Sequence, residues 1–174
     1  MLKHLRAELL LPIMVALVIP AAIVYFTGLG TLDLWQQAPV VRFILPMLGA
    51  LFIIGGLYLM VMTIRLFMVE EKGTIMPWNP IQRLIVQGIY RHVRNPMISG
   101  GICILFGEAI LATSLPLMGW FLFFVVVNAV YIPLVEERGL VKRFGEDYET
   151  YRRNVPRWIP RLSPWKVDPS ERSK

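Results

Sequence analysis

Cysteine and histidine are almost absent from this sequence, and their scarcity excludes several kinds of site. The single cysteine, Cys103, allows no disulfide within the chain and no cysteine-rich zinc site. The two histidines, His4 and His92, are too few for a multi-histidine metal site. We therefore predict no metal centre.

Charge is also sparse, at 17% of the residues, whereas 56% are hydrophobic. That apolar content is too high for a soluble chain of 174 residues. The net charge of +6 admits nucleic acid as a partner, but the basic residues lie between hydrophobic runs. This arrangement favours an anionic membrane face. We predict an integral membrane protein with a single domain over residues 1–174 and no nucleic-acid partner.

Four long apolar segments predict an all-α fold, a polytopic membrane helix bundle with four transmembrane helices. Each is long enough to cross a hydrocarbon core of roughly 30 Å. A cleaved signal peptide is the weaker interpretation of the first segment, because the apolar stretch is too long and no clear cleavage site follows. In the polar connection after the second segment, Pro77 and Pro80 argue against a continuous helix. The segments cover about residues 9–26, 40–68, 97–113 and 116–135.

The positions of lysine and arginine predict the topology. All of these residues except Arg42 lie in or next to the N-terminus, the second-to-third connection and the C-terminal tail. Because such residues concentrate in cytoplasmic loops, both termini are predicted to be cytoplasmic.

Small residues in the third segment predict close helix packing. Ser99, Cys103 and Gly107 recur at intervals of four residues, so they share one helical face that a neighbouring helix can approach.

The composition changes from residue 136 onward, where apolar residues recur every three or four positions among charged ones. This spacing predicts a C-terminal amphipathic cytoplasmic helix, which ends at Pro156. Trp158 and Trp165, beyond that proline, are interpreted as anchors at the membrane interface. The apolar face consists of Leu140, Phe144, Tyr148, Tyr151 and Val155.

Charged residues gather at the two ends of the predicted third-to-fourth helical hairpin. Residues 88–101 read G-I-Y-R-H-V-R-N-P-M-I-S-G-G, and Glu136-Glu137 follow the fourth segment. An antiparallel hairpin brings these ends to the same membrane depth, and Arg94 is the nearest positive partner for the glutamates. The pair is either a structural salt bridge or part of a ligand site with both signs of charge.

The two motifs resemble those of the isoprenylcysteine carboxyl methyltransferase and phospholipid methyltransferase superfamily. Its first pattern is roughly G-x-Y-x-x-x-R-[HN]-P-x-Y-x-G, and its second is E-E-x-x-L-x-x-x-F-G-x-x-Y-x-x-Y. The resemblance covers residues 73–161, about half of the chain. Ile98 stands where the family has tyrosine. Asn95 stands where the prenylcysteine enzymes usually have histidine, which favours the broader bacterial branch and a prokaryotic inner membrane.

The resemblance implies methyl transfer from S-adenosylmethionine to a lipid-like or isoprenoid-linked acceptor at the cytoplasmic membrane interface. It implies that residues 136–161 cap the cofactor. Arg94 and Glu137 are the expected catalytic residues. The expected cofactor-binding residues are Tyr90, Asn95, Gly100, Glu136, Glu137, Tyr148 and Tyr151.

Two other functions remain open from the sequence. Sterol and steroid reductases resemble this hairpin but bind NADPH, and they are generally longer and lack the second motif's spacing. A non-catalytic membrane protein of the same fold is the other alternative, and Ile98 in place of tyrosine favours it.

Overall fold

The computed structural model describes residues 12–29, 39–73 and 84–166, and within these ranges all regular secondary structure is helical. The predicted all-α class is therefore confirmed. Residues 9–11 of the first predicted span, and the break at Pro77 and Pro80, lie outside the described residues. The helices are α1 (Met14–Thr27), α2 (Pro39–Gly73), α3 (Pro96–Leu111), α4 (Leu115–Phe144) and α5 (Glu146–Asn154).

Two of the described helices are long and apolar enough to cross a membrane. They are the Val41–Leu66 part of α2 and the whole of α4, while α1 and α3 are apolar but shorter. Many of their large apolar side chains are exposed, including Phe43, Leu51 and Val126. Exposed apolar surface on this scale needs an apolar surrounding, so the chain is a membrane protein. Four crossings stay a prediction.

The chain divides into two compact units, residues 1–58 with 100–129 and residues 59–99 with 130–174. In the first unit, α2 and α3 approach so closely that Gly49, Gly56 and Gly107 leave no room for a side chain. A Cβ atom on Gly56 would lie 2.5 Å from the carbonyl oxygen of Gly100, and one on Gly107 would lie 2.6 Å from that of Gly49. Backbone-to-backbone contact of this kind is how small residues allow membrane helices to associate.

The residues of α3 nearest to the glycines of α2 include one member of the predicted stripe of Ser99, Cys103 and Gly107. The observed contacts involve Gly100, Ile104, Gly107 and Leu111. Only Gly107 belongs to both sets. The predicted interval of four residues drifts around a helix of 3.6 residues per turn, whereas alternating steps of four and three residues stay on one face.

A three-residue turn joins α3 to α4 within the first unit, where the sequence predicts the tip of a hairpin. Thr113 has a positive φ of 45°. Ser114 then begins α4, because its hydroxyl oxygen accepts a hydrogen bond of 3.4 Å from the Leu117 N–H. Serine is a preferred residue at this position of a helix.

In the second unit α4 continues past the predicted end of the fourth span. Its helix runs through a π-type turn at Ile132–Glu136, which contains Pro133, and ends at Phe144. Gly145 then has φ 55° and ψ −130° and separates α4 from α5. The single C-terminal helix predicted from the apolar spacing is therefore divided in two, because Gly145 adopts a conformation that side-chain-bearing residues avoid.

The predicted apolar face nevertheless forms one core in the second unit. Tyr148, Tyr151 and Val155 are buried, and Leu140 and Phe144 pack against them. Trp165 also belongs to this core, with its ring centre 6.0 Å from that of Tyr151. The end of α4 and the helix α5, on either side of Gly145, therefore contribute to one apolar cluster.

Candidate active site

A loop before α3 carries the predicted arginine and asparagine, and the C-terminal segment (residues 155–166) fixes its position. The backbone N–H of Arg94 donates to the carbonyl oxygen of Pro156 at 2.9 Å, and that of Asn95 donates to Arg157 at 3.2 Å. Pro96, the next residue, begins α3. Proline suits the first helical position, because its missing N–H would have no partner there.

The other end of this loop is paired with the C-terminal segment as well. The N–H of Arg161 donates to the His92 carbonyl oxygen at 3.0 Å, and that of Trp165 donates to Arg91 at 2.9 Å. The Arg91 Nε–H group donates in return to the Trp165 carbonyl oxygen at 2.6 Å. The loop therefore has main-chain partners along most of its length.

Glu137 is the centre of the charged site, and its side chain is 4% exposed. Arg94 Nη1 lies 2.7 Å from Oε1, which confirms the pairing that the hairpin predicts. Arg157 binds the same carboxylate with two groups, Nε at 2.9 Å from Oε1 and Nη2 at 3.1 Å from Oε2. Arg152 lies further away, at 4.0 Å from Oε2.

This cluster contains more positive than negative charge. Three guanidinium groups lie within 4.0 Å of the Glu137 carboxylate. The side chain of Arg94 is itself only 8% exposed, so its charge needs the carboxylate as a partner. Glu136, the neighbouring carboxylate, is exposed. A buried cluster with a cationic excess attracts a ligand that carries an anionic group.

Tyr148 lies beside the same arginine. The nearby Arg94 guanidinium lowers the pKa of Tyr148. Burial, followed by the charge of Glu137, outweighs this effect and raises the pKa above its usual value. Tyr148 therefore keeps its proton near neutral pH.

Tyr90 and Tyr151 are joined by a hydrogen bond, in which the Tyr151 hydroxyl donates to the Tyr90 carbonyl oxygen at 2.7 Å. Burial, and then the nearby charge of Glu136, raises the pKa of Tyr90 to about 12. Burial is also the main cause of the raised pKa of Tyr151. Both phenols are protonated at physiological pH, so neither is suited to act as a base there.

Three side-chain N–H groups at this site have no hydrogen-bond acceptor among the described residues, although each is shielded from solvent. We call them the three unpaired donors: Arg94 Nε, Asn95 Nδ2 and Trp158 Nε1. Leaving a buried donor without an acceptor costs about 1–3 kcal/mol, and native proteins contain few such groups. Three of them carried by two paired segments indicate a place for a ligand's acceptor atoms.

The predicted site residues fall into two sets. Seven of them belong to the second unit: Tyr90, Arg94, Asn95, Glu136, Glu137, Tyr148 and Tyr151. The eighth, Gly100, belongs to the first unit, where its carbonyl oxygen faces Gly56. Helix packing is sufficient to explain a small residue there, and its cofactor contact stays a prediction.

The sequence did not predict the contact of Arg157 with Glu137 or the buried, unpaired indole N–H group of Trp158. Both residues follow Pro156, in a segment without helical periodicity, so no spacing argument connects them to Glu137. A signal was present in the cluster of basic residues after α5, because a buried carboxylate such as that of Glu137 attracts more than one cation. Only the contacts of the C-terminal segment show that the second arginine bonded to Glu137 is Arg157.

Comparison with known proteins places this helical membrane protein among the methyltransferases. A family model described as phospholipid methyltransferase matches residues 44–147. The chain therefore belongs to the phospholipid methyltransferase family. The match includes Tyr90, Arg94, Asn95 and the two glutamates, whereas the C-terminal segment lies beyond it.

A curated relative is similar to part of the chain. Methanethiol S-methyltransferase 2 of Bradyrhizobium diazoefficiens is 39% identical over 77 residues, which are 42% of this chain and 27% of that protein. The similarity thus spans only about a quarter of the relative. No solved structure matches the chain.

Proposed function

We propose that the protein transfers a methyl group from S-adenosylmethionine to an acceptor at the cytoplasmic face of a membrane. The observation that carries this proposal is the pairing of Arg94 and Arg157 with the buried carboxylate of Glu137. Arg94 and Glu137 lie in the region matched by the methyltransferase family model. Membership of the family supports the reaction type, and the charges support a donor that is both anionic and cationic.

The residues present fit such a donor. The unpaired Nε–H of Arg94 and the cationic excess around it suit a carboxylate. The exposed carboxylate of Glu136 suits an ammonium group or ribose hydroxyls. The rings of Tyr90 and Tyr148 suit adenine or a sulfonium. S-adenosylmethionine, when bound, supplies an electrophilic methyl group on that sulfonium.

The chain's own contribution is alignment and the exclusion of water. Displacement at a methyl group needs two reactants held in line more than it needs a strong acid or base. Glu137 holds the Arg94 guanidinium in place, since both of its oxygens are engaged by arginines. The protonated tyrosines donate hydrogen bonds, and Glu136 takes the proton from an acceptor that must lose one.

A lipid-like or isoprenoid-linked molecule is the acceptor that we propose first. Such a molecule enters sideways from the bilayer, next to the exposed apolar residues of α4 such as Tyr131 and Leu134. The description of the family as phospholipid methyltransferase supports this class.

A small thiol is the second candidate acceptor. It is supported by the name of the curated relative, a methanethiol S-methyltransferase. A thiol loses its proton on methylation, and the Glu136 carboxylate is suited to accept it. Because the similarity covers a minor part of that protein, the thiol stays behind the lipid in our proposal.

The topology that we propose has four crossings, α1 to α4, with both termini in the cytoplasm of a prokaryotic cell. The distribution of lysine and arginine supports the orientation. In this orientation the loop before α3 and the end of α4 lie on the cytoplasmic side. The donor, a soluble cytoplasmic molecule, then reaches the site directly.

Ligand-dependent thermal stability tests the donor. The detergent-purified protein is titrated with S-adenosylhomocysteine and, in parallel, with NADPH. A ligand that binds only the folded state raises the apparent unfolding temperature with its concentration, and we expect this for S-adenosylhomocysteine alone. A response to NADPH alone would assign the protein to the reductases. A folded protein that responds to neither would be a non-catalytic member of the fold.

Isotope transfer tests the acceptor. The protein in vesicles is incubated with S-adenosylmethionine labelled in the methyl group, together with either a bacterial lipid extract or methanethiol. Label recovered in the organic phase with lipid supports the first acceptor, and labelled volatile thioether supports the second. Arg94→Ala serves as the inactive control in both reactions.

A further inference from the structure

The three unpaired donors belong to two backbone segments that are hydrogen-bonded to each other, although Trp158 is far from the other two residues in sequence. Arg94 and Asn95 are consecutive, and their backbone N–H groups pair with Pro156 and Arg157. Trp158 is the next residue of that second segment. Two backbone hydrogen bonds therefore make the residues that carry the three donors neighbours in the fold.

The electrostatic surroundings of these donors are positive. Arg94 and Arg157 both bind the Glu137 carboxylate, so two cations compete for one anion. The α3 helix begins directly after Asn95, and the amino-terminal end of a helix carries a partial positive charge. A cationic ligand group is repelled here, and an anionic one is attracted.

We propose that Arg94 Nε, Asn95 Nδ2 and Trp158 Nε1 together bind one anionic oxygen-bearing group, a carboxylate or a phosphate, of a ligand. Such a group presents several acceptor lone pairs, so one group satisfies donors from two segments at once. Trp158 is thereby a ligand-binding residue, beyond the region that the family model matches. The inference rests on the proposed function only for the identity of the ligands used below.

The anionic group has two possible sources, the carboxylate of the methyl donor and the phosphate of a lipid headgroup. The first is tested with S-adenosylhomocysteine and its decarboxylated analogue, which keeps the ammonium group and lacks the carboxylate. The second is tested with dihexanoyl phosphatidic acid. Affinities of all three compounds are measured by calorimetry on the full chain in detergent.

The informative variant is Trp158→Phe, which keeps an aromatic ring and removes only the N–H donor. Trp165→Phe is the matched control, since it removes an indole N–H from the same segment, where the ring packs on Tyr151. Thermal unfolding of both variants establishes that each is folded. Asn95→Ala provides a second test if Trp158→Phe does not fold.

If the donor's carboxylate occupies the site, the wild type binds S-adenosylhomocysteine at least about tenfold more tightly than the decarboxylated analogue. Trp158→Phe lowers this ratio about tenfold and leaves affinity for the analogue unchanged, whereas Trp165→Phe keeps the wild-type ratio. If a lipid phosphate occupies the site, Trp158→Phe leaves the affinity ratio unchanged and weakens only the binding of phosphatidic acid.

The outcomes separate this inference from the proposed function. The inference alone is overturned if the protein binds S-adenosylhomocysteine but Trp158→Phe and Asn95→Ala change neither the affinity ratio nor the affinity for phosphatidic acid. If the wild type does not bind S-adenosylhomocysteine and Trp158→Phe loses phosphatidic acid binding, the inference is supported. The same result contradicts S-adenosylmethionine as the methyl donor. Binding of none of the three compounds by the folded wild type overturns both.

Discussion

Arg157 binds both oxygens of the Glu137 carboxylate, with Nε 2.9 Å from Oε1 and Nη2 3.1 Å from Oε2. Two parallel bonds of this kind fix the orientation of the guanidinium plane as well as its distance. Since Oε1 also accepts from Arg94, the carboxylate joins the end of α4, the loop before α3 and the C-terminal segment.

Removal of the Glu137 carboxylate is expected to destabilise the protein strongly. Glu137→Ala leaves the buried guanidinium of Arg94 without its partner, and we expect a loss of about 3–5 kcal/mol of unfolding free energy. The control is Glu149→Ala, which removes an exposed pair with Arg153 at 3.5 Å and should cost at most about 1 kcal/mol. Denaturant unfolding in detergent measures both, and equal losses would contradict the central role of Glu137.

Two neighbouring glycines of α2 are expected to differ in how substitution affects stability, because only Gly56 contacts α3. Gly56→Ala places a methyl group 2.5 Å from the Gly100 carbonyl oxygen, whereas Gly55→Ala meets nothing within 4 Å. We expect the first to cost about 1–3 kcal/mol, as overpacked positions do. The second should be neutral or stabilising by up to about 1 kcal/mol. Unfolding in nanodiscs gives both values, and a tolerated Gly56→Ala would exclude the close approach.

The glycine between α4 and α5 is expected to be required for its backbone conformation alone. Gly145→Ala has free space for the methyl group, but φ is +55° there, and we expect a cost of about 1–3 kcal/mol. Gly139→Ala also meets nothing within 4 Å. It lies inside a helix, so it should stabilise by about 0.5–1 kcal/mol. Thermal unfolding compares the two, and effects of the same sign would argue against a strained turn.

Alkaline pH is expected to destabilise the protein partly through Tyr90, whose pKa is raised to about 12 by burial and by Glu136. The unfolded chain loses this proton near pH 10 and the folded protein retains it, so the contribution to stability is present below pH 10 and lost toward pH 12. We expect about 1–3 kcal/mol from this group. In Tyr90→Phe the unfolding free energy should fall less steeply over that range, and an identical slope would contradict the assignment.

The sequence was sufficient to predict the all-α class and the pairing of Arg94 with Glu137. Both follow from local rules, since apolar length indicates a helix and a short link places two helix ends together. The division at Gly145 was missed because the apolar spacing continues across it, and the side chains on both sides do reach one core. A pattern of side chains alone does not report a change in the backbone between them.

The roles of Arg157 and Trp158 could not be predicted for a different reason. They depend on hydrogen bonds between backbone groups about 62 residues apart, such as that from Asn95 to Arg157, and main-chain groups leave no trace in the identity of the residues. Trp158 is interpreted from the sequence as an interface anchor, and its indole nitrogen is buried without an acceptor among the described residues. Trp165 packs against Tyr151.

The dependence of the loop before α3 on the C-terminal segment has a consequence for biosynthesis. Membrane helices enter the bilayer in order as the ribosome produces them, and earlier parts of a chain generally fold first. Residues 91–95, however, receive their partners from residues 156–165, which are translated after α5. The charged centre is therefore assembled only after the segment that follows α5 has been made, and a nascent chain that stops after α5 carries these helices without a finished site.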